Sequence, residues 1–217
     1  MEIRVGQKFD IFPARSDLWL VRHGQTDWNL AGRWQGQSPQ APGLNDAGRA
    51  QALALRSQLA GKQFGALYSS DLRRARQTAE LLADPLGLPV NLDPRLREMD
   101  LGDWEGLLSN EISSRFPQLL LERDCNPMHT SAPRGETPEC VAERVASALD
   151  DIVMNHYGEP VLIVAHGISL AAILCLARDI PLEYIYEQVP GNASLLHVEW
   201  AARAHAVELS HPKFSVV

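Results

Sequence analysis

The chain has 217 residues, 45% of them hydrophobic and 22% charged, with 15 Gly and 14 Pro scattered rather than clustered; this composition belongs to a globular protein and excludes disordered or collagenous chains. That length favours one full-sized domain, 1–217, over two. The 27 acidic against 20 basic residues leave a net charge of −7, which repels a polyanion and argues against nucleic-acid binding.

Charges at Glu2, Arg4, Lys8 and Asp10 interrupt the apolar stretch that a signal peptide needs, and residues 1–16 read as an amino-terminal extension. A first strand is predicted at 18–21, followed by a long polar loop, 24–45, holding Trp28 and Trp34. Asp46 is a suitable N-cap for a helix ending near Gly61, with Leu55 and Leu59 on its apolar face. A short strand at 66–69 leads to a helix capped by Ser70 or Asp71 and running to about Ala83, where Asp84-Pro85 and Gly87 should break it. Another extended run follows at 90–92. Residues 105–136, with Pro117, Pro127 and Pro133, lack a regular period and read as an inserted lid.

Thr137-Pro138 then signals the start of a long helix with Val141, Val145, Leu149 and Val153 on one stripe. It hands over to a continuously apolar strand at 161–165, of the kind buried on both faces. A helix at 167–177, a strand at 194–199 and another at 204–209 complete the chain. The apolar run 161–177 falls just short of a spanning helix and is interrupted by His166-Gly167, so no membrane span is expected. Alternating strands and helices predict an α/β fold, a three-layer α/β/α sandwich with a mostly parallel central sheet. The three cysteines, Cys125, Cys140 and Cys175, form no CxxC pair and read as free thiols of a reducing, cytoplasmic setting. The apolar tail strand could pair across a homodimer or finish a sheet edge.

Ligands of open α/β sheets collect beyond the carboxyl ends of strands. Two predicted strands end there in His-Gly, at His23-Gly24 and His166-Gly167, where 7 His and 15 Gly would supply about half a pair by chance. A third leads into SSDLRRARQTAE, whose Arg73, Arg74 and Arg76 read either as a solvated basic face or as an anion site at a helix start. A fourth ends in RLREMDLGDWEG, gathering Glu98, Asp100, Asp103 and Glu105; a divalent cation is conceivable there, but a single carboxyl acting as proton donor needs fewer assumptions. His129, His156, His197, His205 and His211 read as surface or core histidines, and Trp28, Trp34 and Trp104 as packing residues.

The segments RHGQTDWN, SSDLRRARQTAE, LREMDLGDWEG and VAHGISL resemble the histidine phosphatase superfamily, the phosphoglycerate-mutase-like first branch, from about Leu18 to Leu170. The resemblance implies that His23 is the nucleophile that becomes phosphohistidine, that Arg22, Arg74 and His166 surround the phosphoryl oxygens, and that Glu98 is the general acid and base. It places further phosphate contacts at Asn29, Gln35 and Gly36, with Gly24 and Thr26 nearby and the Gly167 amide available. Neither a metal nor another cofactor is implied. Gln25 stands where the family pattern has Glu.

The arginines also disfavour the charged form of His23. The stretch after Glu98 lacks the basic, Tyr-containing segment of the cofactor-dependent mutases, although Arg115, Arg123 and Arg134 could contact an anionic substrate. These features favour a phosphatase of small phosphorylated metabolites, with a phosphoglycerate-mutase-type phosphotransferase as the alternative and a non-catalytic binding module as a third reading.

Overall fold

The computed structural model describes residues 14–202. In chain order they form β1 (Arg15–Arg22), α1 (Asp27–Ala31), α2 (Asp46–Leu59), β2 (Ala66–Ser69), α3 (Arg73–Leu86), β3 (Val90–Leu92), α4 (Ser109–Arg115), α5 (Pro117–Cys125), α6 (Pro138–Asn155), β4 (Val161–Ala165), α7 (Gly167–Ala177) and β5 (Leu195–Ala201). Short 3-10 turns occupy Pro94–Leu96, Gly102–Trp104 and Leu182–Gln188. The sheet order is β3-β2-β4-β1-β5; the first four strands pair in parallel, and β5 joins β1 antiparallel. The predicted strand at 204–209 lies outside the described residues.

The period of two along β4 makes the layers. Val161, Ile163 and Ala165 face a core shared with α6 and α7, whereas Leu162 and Val164 face Leu55 and Leu59 of α2 and Ala75, Ala79 and Leu82 of α3. All five β4 residues are fully buried, which explains why the strand lacks polar alternation. Helix α7 is apolar around its circumference and buried from Gly167 through Cys175 except at Ile168, because it lies between the sheet, α6 and the Leu182–Gln188 turn. Among the described residues no helix is long and apolar enough to cross a membrane.

Five local expectations change. Strand β1 begins at Arg15, so residues 15 and 16 of the expected amino-terminal extension belong to the sheet. Leu72, rather than Ser70 or Asp71, is the N-cap of α3, with no side-chain cap bond. Asn45, rather than Asp46, caps α2, its side chain accepting from Gly48 N. Residues 105–136, expected to be irregular, contain two helices, α4 and α5; Pro117 starts α5, where its missing N–H costs nothing. Helix α3 passes through Asp84-Pro85 to Leu86 and ends only at Gly87, which is left-handed at φ 64°. Pro85 can donate nothing to the carbonyl four residues back, Leu81 O. That oxygen instead accepts from Arg56 Nε and Nη2 at 2.9 and 2.6 Å, so a side chain from α2 replaces the missing helical bond.

Arg56→Met should therefore lower stability by about 1–3 kcal/mol, the cost of stranding a carbonyl. Adding Pro85→Ala, which restores an amide for Leu81 O, should recover part of that loss; urea unfolding of the two single variants and the double variant measures the coupling.

Candidate active site

The parallel register Arg22↔Ala165 ends β1 and β4 at one level, so the residues that follow them stand side by side. The rings of His23 and His166 lie 5.1 Å apart, and His23 N donates to Ala165 O at 3.0 Å. On the other side of β4, the register Ser69↔Val164 brings Ser70 to the same end, with its Oγ 2.8 Å from His166 Nε2. Both imidazoles are buried, at 1% and 0% exposure.

The neighbours of His23 fix its tautomer. Nδ1 lies 2.8 Å from Gly24 O, an atom that only accepts, so Nδ1 carries the hydrogen. Arg74 Nε, which only donates, lies 3.2 Å from Nε2, so Nε2 presents its lone pair. Arg74 is itself 2% exposed in the first turn of α3, where the positive end of the helix gives a cation no help. It is held by Gly36 O at 2.9 Å, and Gly36 aims that carbonyl from a left-handed φ of 50°. Burial pulls Arg74 down to about 10, with Glu98 raising it and Arg22 lowering it, so it remains charged at neutrality. Arg22 is also lowered by burial and partly restored by Glu98; its Nη1 donates to Pro190 O. Two buried nitrogens, Arg22 Nε and His166 Nδ1, have no hydrogen-bond partner among the described residues.

Arg22, His23, Asn29, Gln35, Gly36, Arg74 and Glu98 line one cavity of about 380 Å³. Predicted residues of three of the four motifs thus meet in one cavity, whereas His166 and Gly167 of the fourth are buried and are not among its lining residues, which include their neighbour Ile168. Glu98 enters the cavity from the loop after the Pro94–Leu96 turn. Its Oε2 accepts from Gly167 N at 2.9 Å, and its Oε1 accepts from Ile168 N at 3.0 Å and Met99 N at 2.9 Å. The Gly167 amide, expected to face a bound phosphoryl group, serves Glu98 in this structure because free amides at a helix start attract the nearest carboxylate.

Thr26 is buried away from the cavity, capping α1 through a bond from Asn29 N at 3.1 Å and lying 3.1 Å from Gln35 Oε1. Gly24 also lies outside the lining. Its lack of a side chain serves packing: a Cβ there would strike the Gly48 carbonyl of α2, and one on Gly48 would strike Gln25 O. Gln25 points to the start of α2, its Oε1 accepting from Asn45 Nδ2 at 3.2 Å.

The acidic residues after Glu98 are dispersed: Asp103 pairs with Arg134, Asp100 accepts from Gly102 N, and Glu105 accepts from Gln37 N at 2.6 Å. Among the described residues no group of three or more His, Cys, Asp or Glu is placed to hold a metal ion. Trp34 both packs edge-on to Trp104 and lines the cavity with Tyr186, Met99 and Ile168, whereas Trp104 is buried behind it. Sequence reasoning missed Asn192, whose Nδ2 donates to His23 O at 3.1 Å and lies 3.3 Å from Asn29 Oδ1. Ser70, expected as a helix cap, does not cap α3 and instead meets His166. His129, His156 and His197 contact Glu139, Tyr68 and Asp17; His205 and His211 lie outside the described residues.

Residues 18–211 match the histidine phosphatase superfamily (branch 1). Glucosyl-3-phosphoglycerate phosphatase of Mycolicibacterium vanbaalenii is 38% identical over 196 residues, covering 86% of this chain and 85% of that protein. The probable phosphoglycerate mutase GpmB of Serratia proteamaculans is 32% identical over 196 residues, covering 88% and 90%. A solved structure of mycobacterial glucosyl-3-phosphoglycerate phosphatase complexed with VO3 superimposes with a TM-score of 0.76 at 35% identity, covering 84% of this chain and 90% of that one.

Burial holds both imidazoles well below their ordinary 6.5; Arg74 and then Arg22 add to it at His23, against the pull of the Gly24 carbonyl, and Arg74 acts likewise at His166. The arginines thus act as the sequence implied, but burial is the larger cause. Unfolded rings take up protons below about pH 6.5 while the folded rings stay neutral, so stability falls as pH drops below that value. Each ring contributes a slope of about 1.4 kcal/mol per pH unit within this window. Replacing His23 by Gln should flatten the dependence of unfolding free energy between pH 6.5 and 5 by about that amount. Parallel slopes for the two proteins would contradict a neutral His23.

Proposed function

The chain belongs to the histidine phosphatase superfamily (branch 1), and from that premise we propose that it is a metal-independent phosphatase of small phosphomonoesters working through phosphohistidine on His23. The observation that carries this reading is the state of His23: neutral, hydrogen-bonded through Nδ1 to Gly24 O, with the Nε2 lone pair beside a buried, charged guanidinium. A nucleophile needs that lone pair, and phosphoryl transfer needs fixed positive charge around the equatorial oxygens.

In this mechanism the ester phosphoryl group displaces the Arg74 Nε contact, and His23 Nε2 attacks phosphorus as the P–O ester bond breaks. Arg22, Arg74 and the unpartnered His166 Nδ1 donate to the oxygens, with Ser70 orienting the His166 ring. Glu98 takes the proton of the monoanionic ester and delivers it to the departing alkoxide. It then accepts one from the water that attacks phosphohistidine, releasing inorganic phosphate and restoring His23. Asn29, Gln35 and Gly36 complete the phosphate side of the cavity, and Asn192 steadies Asn29 and the His23 carbonyl.

Phosphatase is preferred to mutase because the arginines expected to grip a second anion are engaged elsewhere, and Arg33, which does line the cavity, donates to Gly106 O at 2.6 Å and lies 3.6 Å from Glu111. Arg115 lies 3.6 Å from Glu111, Arg134 pairs with Asp103, and Arg123 sits 5.4 to 5.9 Å from the rings of Tyr186, Trp34 and Trp104. The mycobacterial relative is named a phosphatase, while the Serratia relative keeps the mutase alternative in view.

Phosphate release from a panel of small phosphomonoesters, with chelator present, should exceed isomerisation of 3-phosphoglycerate assayed with added bisphosphoglycerate. His23→Ala should abolish release, and Arg74→Ala should lower turnover by about 100- to 1,000-fold. Efficient isomerisation with little release would instead make the protein a mutase, and unchanged release by His23→Ala would remove the phosphohistidine route.

A further inference from the structure

Helix α6 carries a partly buried arginine for which the steps above have no role. Arg144 Nε and Nη2 grip Glu136 through Oε1 at 2.8 Å and Oε2 at 2.9 Å. Its Nη1 donates to Arg95 O at 2.7 Å and Arg97 O at 2.8 Å, and Nη2 also donates to Glu98 O at 3.0 Å. A guanidinium has five N–H groups in a rigid plane, and here they meet five contacts, three of them successive or near-successive carbonyls of one loop. The partner carboxylate extends the grip: Glu136 Oε2 accepts from Asp100 N at 2.9 Å. Gln37 Nε2 adds a second donor to Glu98 O at 3.0 Å. The backbone on both sides of Glu98 is therefore tied to one ion pair rooted in the 18-residue α6.

Leu96, Met99, Leu101 and Trp104 anchor this loop in the core through their side chains, whereas the main-chain carbonyls of Arg95, Arg97 and Glu98 are met by Arg144. Between β3 and α4 the loop forms only the short 3-10 turns at Pro94–Leu96 and Gly102–Trp104. The side chains of Arg95 and Arg97 turn away to Asp93, Asp151 and Asp71. A proton donor delivers its proton only from within hydrogen-bond reach of the oxygen that leaves, and small displacements of such a group are costly.

We propose that Arg144, braced by Glu136, is a positioning residue for Glu98: it fixes the main chain from which the carboxyl, bound by the Gly167, Ile168 and Met99 amides, reaches the ester oxygen that departs. The role rests on the reading of Glu98 as proton donor. Arg144 touches no substrate; it acts through the main chain of Glu98.

The test compares kcat/KM for two esters in the same enzyme preparation. p-Nitrophenyl phosphate has a leaving oxygen that departs without a proton, whereas the alkoxide of glycerol 2-phosphate needs one. Arg144→Met and Glu136→Gln should each lower kcat/KM for glycerol 2-phosphate by about 10- to 100-fold and for p-nitrophenyl phosphate by less than about threefold. Arg144→Lys, which keeps the charge without the planar fork, should fall between wild type and Arg144→Met. The ratio of the two esters cancels any loss of folded protein, so a purely structural role would leave it unmoved.

Glu98→Gln run alongside separates the two levels of the argument. If Glu98→Gln discriminates between the esters and the Arg144 and Glu136 variants do not, the positioning role is overturned while the donor reading stands. If Glu98→Gln lowers both esters equally, the donor reading fails and the positioning role with it.

Discussion

The parallel pairing of β1 with β4 in the register Arg22↔Ala165 is the constraint on which the site depends, because it delivers two histidines to one level beyond the carboxyl edge of the sheet. A shift of one residue would turn every β4 side chain to the opposite face, burying neither core properly and separating His166 from Ser70. The packing of both sheet faces therefore maintains the chemical geometry as well as the fold. Val21, Leu162 and Val164 on one face and Leu20, Ile163 and Ala165 on the other are all fully buried, and re-registering them would misfit the side-chain volumes of both cores.

Against that frame, the polar groups are arranged so that burial works for reactivity. Two arginines and two imidazoles would be expensive to bury together if all were charged. The conflict resolves by neutrality of the rings: His23 and His166 give up their protons, and the guanidiniums keep theirs. What stability demands of His23, a neutral ring with Nδ1 bonded to a carbonyl, is also what a nucleophilic Nε2 demands. The same arrangement makes the fold sensitive to mild acid, since the unfolded chain takes up protons that the folded rings refuse.

The aromatic residues beside the cavity have a different origin. Trp34 comes from the loop after β1, Trp104 from the turn after β3, Phe116 and Arg123 from the α4–α5 region, and Tyr186 from the turn after α7; their rings and guanidinium pack together. Segments that share no sheet contact are thereby brought together, with Trp34 and Tyr186 among the residues lining the cavity. Arg123, one of the cations available for an anionic substrate, is partly covered by these rings, which makes this cluster more aromatic than cationic.

By itself the sequence determined the strand-to-loop junctions that carry His23, His166 and Arg74, because each is a local event: an apolar run, a polar residue at its end and a glycine or helix start immediately after. Runs such as 161–165 and the Thr137-Pro138 helix start are legible for the same reason, since propensity and capping act over a few residues. The tertiary structure alone decided what depends on distant partners. Pro85 stays inside α3 because Arg56 reaches Leu81 O; Ser70 matters because β2 lies beside β4; Asn192 meets His23 from 169 positions away, and Arg144 holds the Glu98 carbonyl from 46. Hydrogen bonds of that span leave no periodic or neighbouring signal in the chain, and only the packed sheet and helices bring their two ends together.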